Sequence, residues 1–364
     1  MAESLAERGH DVHVITYHLG TSDPQARYRV HRIRDVESYQ KLSPGPSYKK
    51  LAVVDPVLVR KLRSVLDEIP FDVVHAHHYE GVLVAAAAGV RRRMPLVYDA
   101  HTLLMSELPY YPLGLPKGLL RTTGRWMDRG IPRLADHTVC VTETIERKLV
   151  RDAGANPARV SVISNGVEFE EFAVASAART SAPGRKLIFT GNLAGYQGID
   201  LMLRAFASVP GKVPGARLEI VSDSSFDPYE PLARELGIRE SIDVVTAPPF
   251  AQMPALLVQG DIAINPRVDC DGVPVKLLNY MAAARPVVSF DSSAPGVVHG
   301  QTGWLAKSGD VEALAHGMVT LLQDSELARN LAHAGQRYVE RNHRWPVVAE
   351  RCEVLYRKLI AARR

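Results

Sequence analysis

Residues 271–288 read Asp-Gly-Val-Pro-Val-Lys-Leu-Leu-Asn-Tyr-Met-Ala-Ala-Ala-Arg-Pro-Val-Val, and this stretch decides how the chain is interpreted. An acidic residue and a glycine lead into Pro274, which suits the start of a helix. Lys276 would lie in the first turn of that helix and Asn279 one turn further on. Backbone N–H groups at a helix start are unpaired and attract anions. The stretch therefore predicts a site for a phosphorylated ligand that also carries hydroxyl groups, such as a sugar nucleotide.

Short apolar segments alternate with helical patterns along all 364 residues. Nearly continuous apolar strands between helices are typical of parallel sheets that are covered on both faces. The length accommodates two domains, so we predict an α/β protein with two doubly wound, Rossmann-like domains facing a central cleft. The predicted strands are residues 12–17, 73–75, 96–98, 137–141, 160–163, 186–190, 218–221, 242–245, 262–265 and 287–290.

The Ala- and Ser-rich residues 173–185 separate the two series of strands and are typical of a linker. We therefore predict an N-terminal domain at residues 1–172 and a C-terminal domain at residues 186–344. A final helix at residues 345–364 could cross back to the first domain.

The beginning of the sequence differs from the usual pattern of a doubly wound domain. Residues 1–8 have a helical pattern, and the first predicted strand follows it. Such a domain normally opens with a strand and a glycine-rich turn, and that strand is central in the sheet. Its absence would leave two neighbouring strands without a partner. An upstream start codon and a damaged fragment are the two explanations, and the well-patterned remainder favours the first.

Composition narrows the class of protein. A hydrophobic content of 46%, a charged content of 23% and a net charge of +4 are ordinary and give no sign of a nucleic-acid partner. The three cysteines form no Cys-x-x-Cys pair, which argues against a thiolate zinc site and a disulfide framework and suits a reducing, cytoplasmic compartment. The longest apolar run, residues 81–90, is too short to cross a bilayer.

Six segments, in the right order, resemble the retaining glycosyltransferases of family 4, which have the two-domain GT-B fold. The resemblance implies transfer of a hexose from a nucleotide-diphosphate sugar to a hydroxyl acceptor, which could be a glycan, a lipid-linked molecule or a small molecule. It also implies a bacterial enzyme of polysaccharide or glycolipid biosynthesis that needs no cofactor and no metal. The segments are residues 6–15, 97–101, 162–167, 190–198, 271–288 and 302–305.

The resemblance assigns roles within the opening stretch. Family members carry two glutamates there, the first on the transferred sugar and the second on the ribose hydroxyls; Asp271 and Asn279 take their places here. Asn279 can still accept from one hydroxyl and donate to another, although an ordinary helix-surface residue is the alternative. The family often ends this helix with a glycine before the proline, and Ala284-Arg285 replace it here. A non-glycine residue in the left-handed conformation costs about 1 kcal/mol, so a turn of a different shape is expected.

The diphosphate of the donor would be bound at the start of the same helix. Gly272 and Val273 would offer backbone N–H groups beside Pro274, and Lys276 would neutralise charge on the leaving phosphate. A solvated first-turn lysine is the alternative reading of Lys276. A cation at this end opposes the helix dipole, so a bound anion is the favoured explanation.

A glycine-rich turn follows the first strand of the second domain and could form a nest of N–H groups for phosphate. Gly191, Asn192 and Gln197 lie in it. Many relatives place an arginine and a lysine in this turn, and Asn192 and Gln197 stand nearby instead. Phosphate neutralisation would then depend on Lys276, helix ends and Arg267. For Asn192, a role in a plain tight turn is an equal alternative.

Polar residues follow two strands of the first domain. His75 and His77 follow one strand, and Asp99 and His101 follow another. We assign them to the acceptor side, with His101 as the catalytic residue that holds the donor sugar or the attacking hydroxyl. A structural histidine bonded to backbone is the alternative. A metal site is disfavoured, because no histidine pair has helical i, i+4 spacing and no His-Glu-x-x-His motif occurs.

Basic residues recur every fourth position before residue 135, which would form one stripe on a helix. Basic amphipathic helices dock on anionic membranes, so peripheral contact with the inner face of the cytoplasmic membrane is one hypothesis. A solvated helix face is the alternative. The stripe includes Lys117, Arg121, Arg125 and Arg129.

Two other functions compete with transfer. The departures at Asp271 and Asn279, together with the missing basic pair, favour a catalytically impaired paralogue or a partner subunit that acts as a binding module. A sugar-nucleotide epimerase can share the architecture, and the order of the motifs argues against it.

Overall fold

The computed structural model describes residues 1–21, 23–40, 50–110, 114–178, 184–268, 271–272 and 274–363. The chain divides into two compact units. The first unit comprises Met1–Ser164 and Pro346–Arg364, and the second comprises Asn165–Trp345.

The expected linker at residues 173–185 begins inside a helix. Phe169–Ala177 is helical because Phe169 and Phe172 are buried one turn apart, which gives the helix an apolar face. Residues 179–183 lie outside the described part of the chain.

In the described part of the first unit, six strands form two parallel sheets. Among these strands β1 pairs only with β2, and the four others form a sheet in the order β3-β4-β5-β6. β1 and β3 each keep one edge without a partner strand among the described residues, and both line one cavity of about 960 Å³. The strands are β1 (His13–Thr16), β2 (Arg29–Arg32), β3 (Val74–His77), β4 (Leu96–Ala100), β5 (His137–Cys140) and β6 (Val160–Val162).

Helices cover these sheets, and their ends follow local signals in the sequence. The helix that begins at Glu143, for example, is capped by the Thr142 hydroxyl, which accepts from the N–H of Ile145 at 3.1 Å. The helices are α1 (Ala2–Glu7), α2 (Asp55–Glu68), α3 (His78–Ala87), α4 (Val90–Arg93), α5 (Leu104–Glu107), α6 (Lys117–Gly130), α7 (Glu143–Arg151) and, at the end of the chain, α16 (Trp345–Ala361).

The second unit contains one six-stranded parallel sheet in the order β12-β11-β10-β7-β8-β9. β10 and β11 are buried at every residue, which fits their nearly continuous apolar sequences. The strands are β7 (Lys186–Thr190), β8 (Arg217–Val221), β9 (Ile242–Val245), β10 (Ile262–Asn265), β11 (Val287–Phe290) and β12 (Trp304–Ala306). The helices are α8 (Phe169–Ala177), α9 (Ile199–Phe206), α10 (Val209–Lys212), α11 (Glu230–Glu235), α12 (Met253–Leu257), α13 (Val275–Ala282), α14 (Val311–Gln323) and α15 (Ser325–His343).

The α/β class with two Rossmann-like units is confirmed, and each of the ten predicted strands overlaps an observed one. The prediction missed β2 and β12. β2 reads Arg-Val-His-Arg and is half-buried, so it lacks the apolar run of a central strand, and β12 has three residues. No helix of the described chain is long and apolar enough to span a membrane.

Candidate functional site

The candidate donor site lies in the second unit, where the order of the strands reverses. β7 pairs with β8 on one side and with β10 on the other. In open α/β sheets, ligands bind at such a switch point, outside the carboxyl ends of the strands. The turn after β7 contains Gly191, Asn192 and Gln197, and the loop after β10 leads into α13. Residues predicted from separate motifs therefore follow neighbouring strands.

Lys276 connects these two loops. Its Nζ donates a hydrogen bond to Gln197 Oε1 at 2.8 Å and lies 4.1 Å from the ring centroid of Phe189. A Cβ atom at Gly191 would come within 2.9 Å of the same Nζ, and Gly191 has a φ of +131°. The conformation favours glycine there, because L side chains rarely adopt this φ, and the space beside it is occupied by the movable end of the Lys276 side chain. The structure brings Gly191, Gln197 and Lys276 together.

Asn192 shapes the turn itself. Its Oδ1 accepts from the N–H of Ala194 at 3.2 Å and from Gln197 Nε2 at 3.4 Å. Its Nδ2 donates to the hydroxyl of Tyr196 at 3.0 Å. These bonds are typical of an asparagine that stabilises a tight turn, the alternative that the sequence left open.

The described residues directly before α13 are buried or half-buried. Pro274 directly precedes the helix instead of occupying its first turn, with φ −62° and ψ 110°. Asp271 is buried, and Gly272 is half-buried. Val273, which the sequence assigns to the diphosphate, lies outside the described residues.

Asn279 is half-buried in the second turn of α13. Its Oδ1 is buried and has no hydrogen-bond partner among the described residues. The next residue, Tyr280, holds the helix against the sheet, because its hydroxyl accepts from the backbone N–H of Thr190 at 2.8 Å. The end of β7 and the Asn279 side chain are therefore positioned by one helix.

The four acceptor-side residues form a second site in the first unit, which we call the His–Asp cluster. Asp99 Oδ2 lies 3.0 Å from His77 Nδ1, 3.2 Å from His101 Nε2 and 3.3 Å from His75 Nε2. His75 Nδ1 is 2.6 Å from the hydroxyl of Tyr356, which belongs to α16. The cluster forms because β3 and β4 are adjacent parallel strands, whose carboxyl ends meet at one edge.

Burial and charge set the protonation of this cluster. Burial acts to raise the pKa of Asp99, but the imidazoles of His101, His75 and His77 outweigh it and hold that pKa well below its usual value. Burial lowers the pKa of His75. Burial also acts to lower the pKa of His101, but its contact with Asp99 prevails and raises it. Ligand atoms of His75, His77 and Asp99 lie within 4.8 Å of one another, a spacing that a metal ion can bridge.

One residue that the sequence did not select stands out at the same edge. His78 begins α3 with a φ of +63°, a conformation that is costly for a non-glycine residue. Its Nδ1 is 2.7 Å from Glu80 Oε2, and Lys50 Nζ donates to Glu80 Oε1 at 2.7 Å. Burial acts to raise the pKa of Glu80, but these two partners lower it to about 2. The signal in the sequence was a third histidine directly after a strand.

The basic stripe lies on the exposed face of α6. Trp126 is 76% exposed beside it, and Leu119 is 52% exposed. The opposite face is buried, where the Asp128 carboxylate accepts from the backbone N–H groups at the start of α5. The exposed basic residues are Lys117, Arg121, Arg125 and Arg129.

Two family models cover most of the chain. The model described as Glycosyltransferase Family 4 matches residues 1–171, and the model described as Glycosyl transferases group 1 matches residues 184–324. The D-inositol 3-phosphate glycosyltransferase of Acidothermus cellulolyticus is 28% identical over 404 aligned positions, covering 100% of this chain and 85% of the relative.

Solved structures show the same fold. Sucrose-phosphate synthase of Thermosynechococcus elongatus superposes with a TM-score of 0.79 at 20% identity, covering 99% of this chain and 92% of its own. Anabaena Alr3699/HepE in complex with UDP superposes with a TM-score of 0.72 at 19% identity, covering 92% and 88%. The complex of Alr3699/HepE with UDP-glucose superposes with a TM-score of 0.70 at 18% identity, covering 91% of this chain and 86% of its own. The fold is therefore GT-B, and the chain belongs to glycosyltransferase family 4.

Proposed function

We propose that this glycosyltransferase moves a hexose from a nucleotide-diphosphate sugar to a hydroxyl acceptor with retention of the anomeric configuration. The observation that carries the proposal is the convergence of Gly191, Gln197 and Lys276 at the switch point of the second sheet. A cation beside a glycine turn and a helix start is suited to a diphosphate. The UDP and UDP-glucose complexes of Alr3699/HepE support a nucleotide sugar as the donor class.

The leaving group would be stabilised electrostatically. Lys276 would neutralise the charge that develops on the departing diphosphate, while Gln197 holds its ammonium group in place. Gly191 would allow the phosphate to approach the backbone, and the N–H groups of Gly272 and Val273 would bind its oxygens. We therefore propose that this step requires neither a metal nor another cofactor.

The sugar and ribose would be bound by the two residues that replace the family glutamates. Asp271 would accept from hydroxyls of the transferred sugar. Asn279 Oδ1 is buried without a partner among the described residues, and such an atom costs about 1–3 kcal/mol until a donor reaches it. A ribose hydroxyl is a donor of the right kind, so a short amide in place of glutamate remains compatible with nucleotide binding.

The acceptor hydroxyl would attack from the face that the diphosphate leaves. An oxygen of the leaving phosphate can take the proton of this hydroxyl, so no enzymic nucleophile is required. In the first unit, Asp99 orients His101 through a 3.2 Å contact to its Nε2, which leaves Nδ1 for a substrate hydroxyl. We propose His101 as the catalytic residue that holds this hydroxyl in place, with His75, His77 and Asp99 as its supports.

The acceptor class is the second part of the proposal. The Acidothermus relative is named a D-inositol 3-phosphate glycosyltransferase, and a phosphorylated polyol of this kind would support a small-molecule acceptor here. The exposed basic stripe of α6, with Trp126 and Leu119, supports a lipid-linked acceptor reached by peripheral contact with an anionic membrane. Co-sedimentation with vesicles of anionic phospholipid at low salt separates these, and absence of binding ends the membrane hypothesis.

The direct test is release of nucleotide diphosphate from UDP-glucose and other nucleotide sugars, with product configuration determined by NMR. A product of inverted configuration would contradict retention. The second candidate function is a catalytically impaired binding module, which Asn279 and the uncharged turn at Asn192 favour. Nucleotide binding without release would support that module, and absence of binding to every nucleotide tested would contradict both.

A further inference from the structure

Two loops of the second unit touch along their backbones at the switch point. A Cβ atom at Gly198, in the turn after β7, would overlap the backbone carbonyl oxygen of Pro266, which directly follows β10. Gly198 also has a φ of +72°, a conformation that favours glycine. The turn after β7 and the loop after β10 are therefore held against each other.

Two cations reach this turn from outside it. The turn, residues 191–198, contains no lysine or arginine of its own. Lys276 of α13 donates to Gln197 Oε1 at 2.8 Å. Arg267, in the loop after β10, lies over the ring of Tyr196, with its guanidinium carbon 4.9 Å from the ring centroid. The positive charge that the turn lacks is thus supplied by its neighbours.

Tyr196 is itself held by the turn. Its hydroxyl accepts a hydrogen bond from Asn192 Nδ2 at 3.0 Å, and Asn192 Oδ1 accepts from Gln197 Nε2 at 3.4 Å. Three side chains of one turn therefore form a connected network, and the two ends of this network contact Arg267 and Lys276. A network of this kind fixes both cations before a ligand arrives.

We propose that Arg267 is a second cation for the diphosphate of the donor, beside Lys276, and that Tyr196 is the residue that positions it. The proposal rests on the nucleotide-sugar function proposed above. A contact with a ring uses the face of the guanidinium, whereas phosphate oxygens bind the N–H groups along its edge. Tyr196 is 46% exposed and Arg267 is half-buried, so a ligand can reach the pair.

The uncharged turn is then no sign of an impaired enzyme. Gln197 binds Lys276 directly, and Asn192 binds the Tyr196 hydroxyl, so each amide supports a cation that comes from another segment. The alternative is a surface cation–π pair that only joins the two loops. Such a pair would stabilise the fold and leave the affinity for a diphosphate unchanged.

The test is calorimetric titration of the full chain with UDP, ADP and GDP, each compared with its nucleoside. Arg267→Gln should weaken binding of the preferred diphosphate by about 10- to 100-fold, as loss of a charged hydrogen bond does, and leave nucleoside binding unchanged. Arg267→Lys, which keeps the charge, should lose less. The exposed Arg329→Gln, in the same unit, is the matched control and should bind as the wild type does.

Variants of Tyr196 separate positioning from a structural role. Tyr196→Leu should weaken diphosphate binding by about 2- to 5-fold, and Tyr196→Phe, which keeps the ring, by less. In the Arg267→Gln background, Tyr196→Leu should cause no further loss, because Tyr196 acts through the guanidinium. Circular dichroism and the melting temperature of each variant check that the unit remains folded.

The possible failures are distinguishable. Tight diphosphate binding by the wild type with unchanged affinity in Arg267→Gln would overturn the proposal and leave the nucleotide-sugar function standing. Additive losses from Arg267→Gln and Tyr196→Leu would overturn the positioning role of Tyr196. Absence of binding to all three diphosphates by the wild type would contradict the nucleotide-sugar function and this inference together.

Discussion

At the scale of single residues, Lys276 provides the positive charge that the two loops at the switch point share. It is half-buried, and it contacts Gln197 and Phe189 without belonging to the hydrophobic core. Lys276→Ala should lower kcat by about 100-fold or more, as loss of one preorganised charge does, with little change in melting temperature. The exposed Lys307→Ala is the matched control in the same unit. An unchanged rate would remove Lys276 from the site.

Ala284 is a second residue whose role is visible only in the backbone. It has a φ of +49° two residues after the end of α13, so the turn keeps the left-handed shape for which the family usually supplies glycine. Removing this strain stabilises the folded chain by about 1–2 kcal/mol. The greater conformational freedom of glycine in the unfolded chain cancels about half of that stabilisation. Ala284→Gly should therefore raise the free energy of unfolding by about 0.5–1 kcal/mol.

The neighbouring alanine is the control for this substitution. Ala283 has a φ of −73°, so a glycine there relieves nothing and only loosens the chain. Ala283→Gly should lower the free energy of unfolding, measured by urea titration of both variants. Equal destabilisation by the two glycines would show that Ala284 carries no strain.

Individual residues of the two sites show which features could be predicted from the sequence. The positions of Gly191 and Lys276 could be predicted because a strand-to-helix turn and a helix start are local patterns in the sequence. The left-handed His78 could not, because a contact between residues two positions apart, such as that of His78 with Glu80, does not by itself indicate a positive φ. The shared focus of the His–Asp cluster on one oxygen of Asp99 likewise depends on strand register, which no single segment encodes.

At the scale of elements, α6 depends on a glycine where it crosses α5. A Cβ atom at Gly124 would come within 2.5 Å of the Leu104 backbone. Gly124→Ala should therefore lower the melting temperature, by the equivalent of about 1–3 kcal/mol of overpacking. Gly118, on the same helix, has open space around its Cα, so Gly118→Ala should instead stabilise by up to about 1 kcal/mol. A neutral Gly124→Ala would contradict this close approach.

The junction of β3 and α3 should respond to acid through Glu80. Its pKa falls from 4.5 to about 2 in the folded chain, so its contribution to stability is complete above pH 4.5 and is lost as the pH falls toward 2. Glu80→Gln should thus destabilise the chain at pH 7, and its difference from wild type should shrink below pH 4.5. Thermal melts across this range measure the difference, with the exposed Glu235→Gln as control. A difference in melting temperature between wild type and Glu80→Gln that stays constant with pH would contradict the pairing of Glu80 with His78 and Lys50.

At the scale of the whole molecule, two units with separate cores need not unfold together. A ligand that binds one unit stabilises that unit by RT ln(1 + [L]/Kd), about 2.7 kcal/mol at a concentration of 100 Kd. Calorimetry can resolve the two transitions, and fluorescence assigns them in variants that keep only Trp126, in the first unit, or only Trp304, in the second.

We expect UDP to raise the transition of the second unit, because every donor residue we propose belongs to Asn165–Trp345. Lys276→Ala should reduce that shift, since the lysine binds the diphosphate in both the ground state and the transition state. Uridine, which lacks phosphate, is the matched ligand control and should shift the transition less. If UDP instead stabilised only the first unit, the switch point of the second sheet would not be the donor site.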